Sequence, residues 1–454
     1  MTQDSVLAIV LAAGEGTRMT SEVPKVMHEL AGAPLLAHVL TAAKAASIGR
    51  VCVVIAPGME EVAGVARAFD PGIAVFEQAE PRGTADAVKA AQTAFAGHPG
   101  PVLVLYGDTP LLRAETLDRL RREIDDGADL VVIGFEASNP TGYGRLLLDA
   151  RQRLTGIREE RDASETERAL TLCNSGIMGF RSGKTLANLL ARIGDANAKG
   201  EFYLTDAVAL ARGAGLETSM LRSEAGEVLG VNSRAELAQA EAVMQERLRA
   251  EIMAGGATLM APETVFLSHD TKVGKDVIIE PNVIIGPGVV IGDNVTIRGF
   301  CHIVGARLAA NAVVGPFARL RPGAALGAGA HVGNFVEIKQ ADIAEGAKVN
   351  HLTYIGDASV GAHANVGAGT ITCNYDGFRK HRTEIGAGAF IGSNSSLVAP
   401  VKIGEGAYIG SGSVISKDVP ADALALTRAP QEERLGWAAR LRKRRERGTG
   451  NSGT

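Results

Sequence analysis

The sequence predicts an α/β domain, then one long helix, then a parallel β-helix built from six-residue turns. Three observations carry this reading. Through about residue 230, short apolar runs alternate with helix-like stretches. Residues 233–254 keep one unbroken amphipathic pattern. Beyond Pro262 aliphatic residues return at every sixth position. The chain has 55 glycines among 454 residues and only 4% aromatics, so backbone turns, rather than large side chains, set much of the architecture.

The first strands are VLAIVLAAG (6–14), VCVVIAP (51–57), VLVLYGD (102–108) and LVVIGFE (130–136), continuous apolar runs that suit burial on both faces. Helical periodicity fills 35–46, 60–68, 84–96 and 114–125. Strand–helix alternation implies a mostly parallel sheet, and ligands bind such sheets beyond the carboxyl ends of the strands. The segments after Leu11 and Tyr106 are therefore the places to inspect. In the connecting helix, Ser233 and Glu236 fit a capping box, Leu237, Met244, Leu248 and Ile252 share a face, and Gly255-Gly256 stops it.

The six-residue series runs Val273, Ile279, Ile285, Ile291, Ile297, Ile303, and resumes as Ile385, Ile391, Leu397, Ile403, Ile409, Ile415. Between them it continues through Leu308, Val314, Leu320, Leu326, Val332, Ile338, Ile343, Val349, Ile355, Val360 and Val366. Steps of five lead into Leu308, Ile343 and Val360, and a gap separates 366 from 385. Six is a multiple of the two-residue strand period, so these side chains all point the same way and stack from coil to coil. Three hexapeptides per coil give about eight coils and a prism roughly 35–40 Å long. The pattern resembles the hexapeptide-repeat family, which implies a left-handed coil. CNYDGFRKHRTE (373–384) reads as a protruding loop, and Arg434–Arg447, with seven basic residues, as a solvated tail. The expected domains are thus 1–230, a linker helix at 231–256, a β-helix at 257–433 and a disordered basic tail at 434–454.

Net charge is −4, which speaks against a dedicated nucleic-acid or membrane-surface protein. Cys52, Cys173, Cys301 and Cys373 form no CxxC, and the N-terminus lacks a basic region ahead of its short apolar run. A cytoplasmic enzyme acting on small molecules, with no nucleic acid and no membrane insertion, is the expectation.

LAAGEGTRM (11–19) joins a buried strand to Pro24-Lys25. Gly14 and Gly16 let backbone amides approach phosphate oxygens, and Arg18 and Lys25 add cations. Position 19 is Met, so the dinucleotide fingerprint is incomplete, and no Gly-Lys-Ser/Thr completes a P-loop. A purely structural turn is the competing reading. Tyr106-Gly107-Asp108 ends a strand, where a carboxylate can hold Mg²⁺ or merely cap a turn. In the second half, Arg321, Lys339 and Lys380 present positive charge suited to a sugar phosphate. NHLTYIGD (350–357) sets His351 and Tyr354 three apart, and a neutral imidazole can take a proton from an attacking amine. His351 as a surface filler, or a zinc site from His331, His351 and His363, are the alternatives at this stage.

LAAGxGTRM followed by PKVMH resembles the sugar-1-phosphate nucleotidyltransferases, with a Rossmann-like α/β domain, in the branch that makes UDP-N-acetylglucosamine. Together with HLTYIGD and GAGTITCNYDG (367–377), it resembles the bifunctional N-acetylglucosamine-1-phosphate uridyltransferase/glucosamine-1-phosphate N-acetyltransferase family over essentially the whole chain before the tail. The resemblance implies Mg²⁺ at Asp108 and at Asn232 of Gly230-Val231-Asn232, with UTP and acetyl-CoA as co-substrates. UDP-N-acetylglucosamine would contact Leu11, Ala12, Ala13, Gly14, Lys25, Gln78, Gly83, Thr84, Tyr106, Gly107, Asp108, Gly144, Glu159, Asn174 and Asn232, with Arg18 and Lys25 stabilising phosphate. His351 would be the general base, while Arg321, Lys339, Tyr354, Asn365 and Lys380 bind glucosamine 1-phosphate. Ala368, Asn374, Tyr375, Ser393, Ser411 and Arg428 would line the acetyl-CoA groove. The family assembles as trimers with acetyltransferase sites between neighbouring chains. This sequence departs from it at Gly83-Thr84-Ala85-Asp86, where the family usually has Gly-Thr-Gly-His, and at Glu15, where Lys is common. The alternative is a single-activity nucleotidyltransferase with the β-helix as a trimerisation module.

Overall fold

The computed structural model describes residues 6–14 and 16–449, so the first five residues, Glu15 and the last five lie outside it. The chain divides into two compact units. One runs to Ile252 and adds Phe266–His269; the other takes Met253–Val265 and continues from Asp270.

The first unit is built on a sheet whose spatial order is Thr218–Arg222, Leu130–Glu136, Leu172–Phe180, Val102–Tyr106, Leu7–Leu11, Arg50–Ile55, Ala74–Glu77. All neighbours are parallel except Leu172–Phe180, which runs antiparallel to both of its own. Leu7–Leu11 is buried at every position because apolar clusters cover both faces of the sheet. Chain order reverses at the central pair: from Leu7–Leu11 the chain goes first to Arg50–Ile55 on one side, later to Val102–Tyr106 on the other. That reversal opens a crevice at the carboxyl edge. Leu11 stands opposite Tyr106, and Gly107 N–H donates to Leu11 O at 2.9 Å, so the two suspected loops leave the sheet together. The predicted helix at 84–96 is in fact two, Thr84–Ala90 and Gln92–Phe95, broken at Ala91.

The long helix is Arg234–Ala254. Ser233 caps it, accepting from Glu236 N–H at 3.3 Å, but the Glu236 carboxylate reaches one residue further back and accepts from Asn232 N–H at 2.7 Å. The capping box is thus displaced onto Asn232. Nor is the helix a free connector: Ala240 is buried, and Leu237, Val243 and Met244 pack on Leu30, Leu35, Leu111 and Val231. Gln245 is also buried, donating to Leu267 O at 2.7 Å and accepting from Leu267 N–H at 2.8 Å.

In the second unit each aliphatic of the series from Ile279 onward is buried, and partners sit one coil apart: Ile279 opposite Ile297, Ile285 opposite Ile303, Ile338 opposite Ile355. A second inward column lies two residues earlier and is held by smaller side chains such as Ala306, Ala312, Ala318 and Ala330. The three five-residue steps all fall at one corner of the prism, ahead of the face formed by Leu308, Ile343 and Val360. With its turn residue removed, the strand bends through the corner, as Glu337–Ile343 and Tyr354–Val360 do. The 366–385 gap is resolved at the same corner. Thr372, six residues after Val366, takes the next inward position opposite Leu397, and the inserted loop follows it. The tail departs from expectation: Trp437–Thr449 is helical, since Ala, Leu, Arg and Lys are strong helix formers, though it is exposed where its side chains are described. No described helix is long and apolar enough to cross a membrane.

Thr372 is the polar member of an aliphatic column, and its hydroxyl accepts from Gly356 N–H at 2.8 Å and donates to Gly356 O at 3.1 Å. Thr372→Val, although more apolar, is expected to lower stability by about 1–3 kcal/mol by orphaning that buried N–H; urea unfolding measures it. Burial pushes the Cys52 thiol up to about 12 and Cys301 to about 11, while Cys373 is only half-buried. Thiolate is the reactive form. Native protein is therefore expected to give Ellman's reagent at most one fast thiol, abolished by Cys373→Ser.

Candidate functional site

The crevice of the first unit is a cleft of about 590 Å³. Leu11, Ala12, Ala13, Gly14, Lys25, Gln78, Gly83, Thr84, Tyr106, Asp108 and Asn232, all anticipated, line it. Gly16 has φ of 64°, and a Cβ there would meet Lys25 Cβ at 2.6 Å, so glycine is required for the loop to fold over the lysine. Gly83 has φ of 113°, and a Cβ would stand 2.6 Å from Phe202 O. At the floor, the Lys25 ammonium donates to Asp108 and, at 2.9 Å, to Asn232 Oδ1. Two hard oxygen donors thus already converge on one cation, the donor set a Mg²⁺ ion needs from protein when phosphates and water complete its shell. No cluster of three or more His, Cys, Asp or Glu able to hold a metal exists among the described residues.

Gly107, Gly144, Glu159 and Asn174 do not line that cleft, and neither does Arg18, which is exposed on the short turn Thr17–Met19. Gly107 instead ties the strand ends, and a Cβ there would press on Val26 at 3.2 Å. Gly144, Glu159 and Asn174 form a connected group. Asn174 N–H donates to Gly144 O at 2.8 Å, and a Cβ on Gly144 would lie 3.4 Å from Glu159 Oε1. Asn174 Oδ1 accepts from Gly176 N–H at 3.0 Å. Burial raises the Glu159 carboxyl above its ordinary range, against the Thr205 hydroxyl that donates to it at 3.0 Å. Burial likewise raises Tyr106, with Glu159 and Asp108 adding to it, so this group borders the cleft floor. Arg145, 1% exposed, holds the group together: it donates to Tyr143 O, to Leu170 O and Arg168 O at 3.1 Å each, and pairs with Glu160 at 2.7 Å.

In the β-helix the predicted residues sort onto different corners. His351 stands opposite Asn334, and its carbonyl bonds Gly369 N–H at 3.1 Å; Ala368 O bonds Asn394 N–H and Ser393 O bonds Gly412 N–H. His351, Ala368, Ser393 and Ser411 are therefore one column along one corner, a coil apart, and Arg428 donates to Ser411 O at 3.2 Å at its end. His351 Nδ1 lies 2.6 Å from Asn334 Oδ1. An oxygen acceptor there keeps the proton on Nδ1 and leaves Nε2 as the basic atom.

The next corner, with the short steps and the inserted loop, holds the cations. Lys339 pairs with Asp357 at 3.3 Å, Asn374 donates to Asp357, and Asn374 Nδ2 is 3.4 Å from the Tyr354 hydroxyl. Arg321 pairs with Glu337 at 2.9 Å. Lys380 is held below the ordinary lysine range by its hydrogen bond with Lys339, which is raised by Lys380 and then Asp357. Tyr375 is exposed on the loop, its hydroxyl donating to Gly377 O at 2.6 Å. Asn365 lies on a third position, in the strand Asn365–Val366 between Lys348 and Phe390. One chain thus sets His351, Ala368, Ser393 and Ser411 on one corner and Arg321, Lys339 and Lys380 on another. His331 bonds Asn350 at 3.3 Å and takes no part in a histidine cluster.

Sequence reasoning missed Thr17, Pro81, Lys199 and Glu201, which line the cleft, and Thr205, Asn334 and Asp357, which orient predicted residues. Asn334 was recoverable: it precedes His351 by one short coil of seventeen residues.

Residues 8–170 match the family model of the MobA-like NTP transferase domain, and 270–305 and 382–417 that of the bacterial transferase hexapeptide (six repeats). The chain is 59% identical to the Bifunctional protein GlmU of Azorhizobium caulinodans over 98% of this chain and 99% of that protein. It is 57% identical to that of Xanthobacter autotrophicus, over 99% and 100%, and 55% to that of Agrobacterium fabrum, over 97% of each.

Arg145→Met is expected to cost about 2–4 kcal/mol by orphaning buried carbonyls and unpairing Glu160. Denaturant unfolding of the first unit checks this; a change below 0.5 kcal/mol, the ordinary surface range, would contradict the role given to Arg145.

Proposed function

The chain belongs to the bifunctional GlmU family, and from that premise we propose how its two units divide the chemistry. It is a bifunctional acetyltransferase and uridyltransferase making UDP-N-acetylglucosamine. What supports the division of labour is that the first unit has a cleft lined by Gly14, Gly16, Lys25, Asp108 and Asn232, while the second carries His351 in register with Asn334. We assign uridylyl transfer to 1–230 together with Asn232, a linker role to 231–256 and acetyl transfer to 257–433.

In the β-helix the amine of glucosamine 1-phosphate attacks the thioester carbonyl of acetyl-CoA. His351 Nε2 takes the amine proton as the C–N bond forms; the C–S bond breaks, and coenzyme A leaves as its thiol after His351 returns that proton to sulfur. Asn334 holds the required tautomer. Arg321, Lys339 and Lys380 bind the phosphate, and Tyr354 and Asn365 complete the sugar site. The groove Ala368, Ser393, Ser411, with Asn374, Tyr375 and Arg428, takes acetyl-CoA. A homotrimer is the proposed assembly. Its support is that cations and base occupy different corners of one chain, and that Phe300, Phe317, Phe335 and Leu352 form an exposed apolar column next to His351.

In the cleft the product, N-acetylglucosamine 1-phosphate, attacks the α-phosphorus of UTP through a phosphate oxygen, and the bond to pyrophosphate breaks in line. Gly14 and Gly16 bring backbone amides to the triphosphate, Lys25 offsets its charge, and Gly144, Glu159 and Asn174 hold the sugar. Asp108 and Asn232 fit Mg²⁺, which when bound would neutralise phosphate charge. Four free cysteines support a cytoplasmic setting.

Purified protein given glucosamine 1-phosphate, acetyl-CoA, UTP and Mg²⁺ is expected to release thiol and pyrophosphate, the latter dependent on acetyl-CoA. His351→Ala should cut thiol release about 10²–10⁴-fold while sparing pyrophosphate release from supplied N-acetylglucosamine 1-phosphate. Asp108→Ala should do the reverse. A chain that never releases thiol would make the β-helix a scaffold.

A further inference from the structure

Gln78 follows the strand Ala74–Glu77 at the carboxyl edge, is 8% exposed and lines the cleft. Its side-chain nitrogen donates twice, to Asp86 Oδ2 at 3.0 Å and to Gly83 O at 3.2 Å. Both partners only accept. The two amide hydrogens are therefore committed, and Oε1 is the atom left for a ligand. A glutamine amide is nearly symmetric in shape and can turn over to present either oxygen or nitrogen. Turning this one over would set Oε1 against a carboxylate and a carbonyl at once, which the charge on Asp86 forbids most strongly.

Asp86 lies near the start of the helix Thr84–Ala90. Its place in the first turn of Thr84–Ala90 is fixed by backbone bonds on either side: Ala87 N–H to Gly83 O at 3.1 Å, Ala85 N–H to Phe202 O at 2.9 Å. The lock on Gln78 is thus anchored, not a passing surface contact.

We propose that Asp86 is a specificity-determining residue of uridylyl transfer: by locking the Gln78 amide it presents an acceptor alone to the base, admitting a pyrimidine with a ring N3–H and refusing one whose N3 is a lone pair. Uracil donates to Oε1; cytosine would bring two acceptors together in a buried site. Sites that hydrogen-bond a defined group reject analogues lacking it far more strongly than shape alone allows. Asp86 acts through Gln78 and touches no reacting atom. The proposal rests on the cleft being the nucleotide site.

The test is kcat/KM for UTP and for CTP, followed by pyrophosphate release with N-acetylglucosamine 1-phosphate and Mg²⁺, in the full-length protein. Wild type is expected to prefer UTP strongly. Asp86→Asn, close in shape but able to accept or donate, should lower the UTP:CTP ratio at least tenfold, with Asp86→Ser in its place if that variant does not fold. Gln78→Ala should lower it too, and adding Asp86→Asn to Gln78→Ala should then change the ratio less than twofold. An Asp86→Asn enzyme with the wild-type ratio overturns the proposal, as does an equal effect of Asp86→Asn with and without Gln78. Pyrophosphate release by wild type with no base preference overturns the role of Gln78 and the proposal with it, whereas no pyrophosphate release from either nucleotide defeats the underlying reading of the cleft.

Discussion

The constraint on which the second unit depends is that an inward side chain must meet the one below it. Extended chain repeats every two residues, so a coil can vary in length only where a corner absorbs the change. Six-residue steps keep Ile279 and Ile297 in line, and Val314 stays on the same stack although a step of five lies between. The three shortened steps and the one long insertion of the aliphatic series are collected at a single corner. The other corners are left regular enough to build a straight column, and His351, Ala368, Ser393 and Ser411 use one of them.

The first unit solves a different problem, how to assemble groups distant in sequence around one cleft. Parallel pairing of Leu7–Leu11 with Val102–Tyr106 brings the glycine loop and Asp108 to one edge. Asn232 arrives from the far end of the unit, its backbone held by Glu236 and by Val231 N–H bonding Asp108 O at 2.8 Å. Lys25 then lies between carboxylate and amide. The cleft is built so that the charge of its floor is balanced before any substrate arrives.

Most of the fold was legible because both units rest on strong periodicity: buried parallel strands as unbroken apolar runs, and the β-helix as a six-residue beat. The strands at Leu172–Phe180 and Thr218–Arg222 were less legible, being interrupted by Asn174-Ser175-Gly176 in one and bordered by polar residues in the other. Thr372 escaped because a hydroxyl takes an aliphatic's place while bonding the coil beside it. Motif residues that line the cleft were found directly. What motif reading could not supply were residues acting across the fold: Arg145 reaching three carbonyls, Thr205 orienting Glu159, Asp357 pairing Lys339. Arg18 shows the converse, a motif residue whose exposed side chain does not line the cleft.

The corner that gathers the short steps has a further meaning for how such a chain can change over time. Adding or removing a single residue within a strand would turn the inward side chains beyond it outward. At this corner the loss of one residue, or the gain of the Asn374–Arg382 loop, leaves Ile385 on the same stack as Val360 and Ile403. The prism therefore contains a place where length is free to drift while the core stays fixed. The loop that brings Asn374, Tyr375 and Lys380 beside Lys339 and Asp357 occupies that place. New chemistry could be added to an old scaffold there without rewriting it.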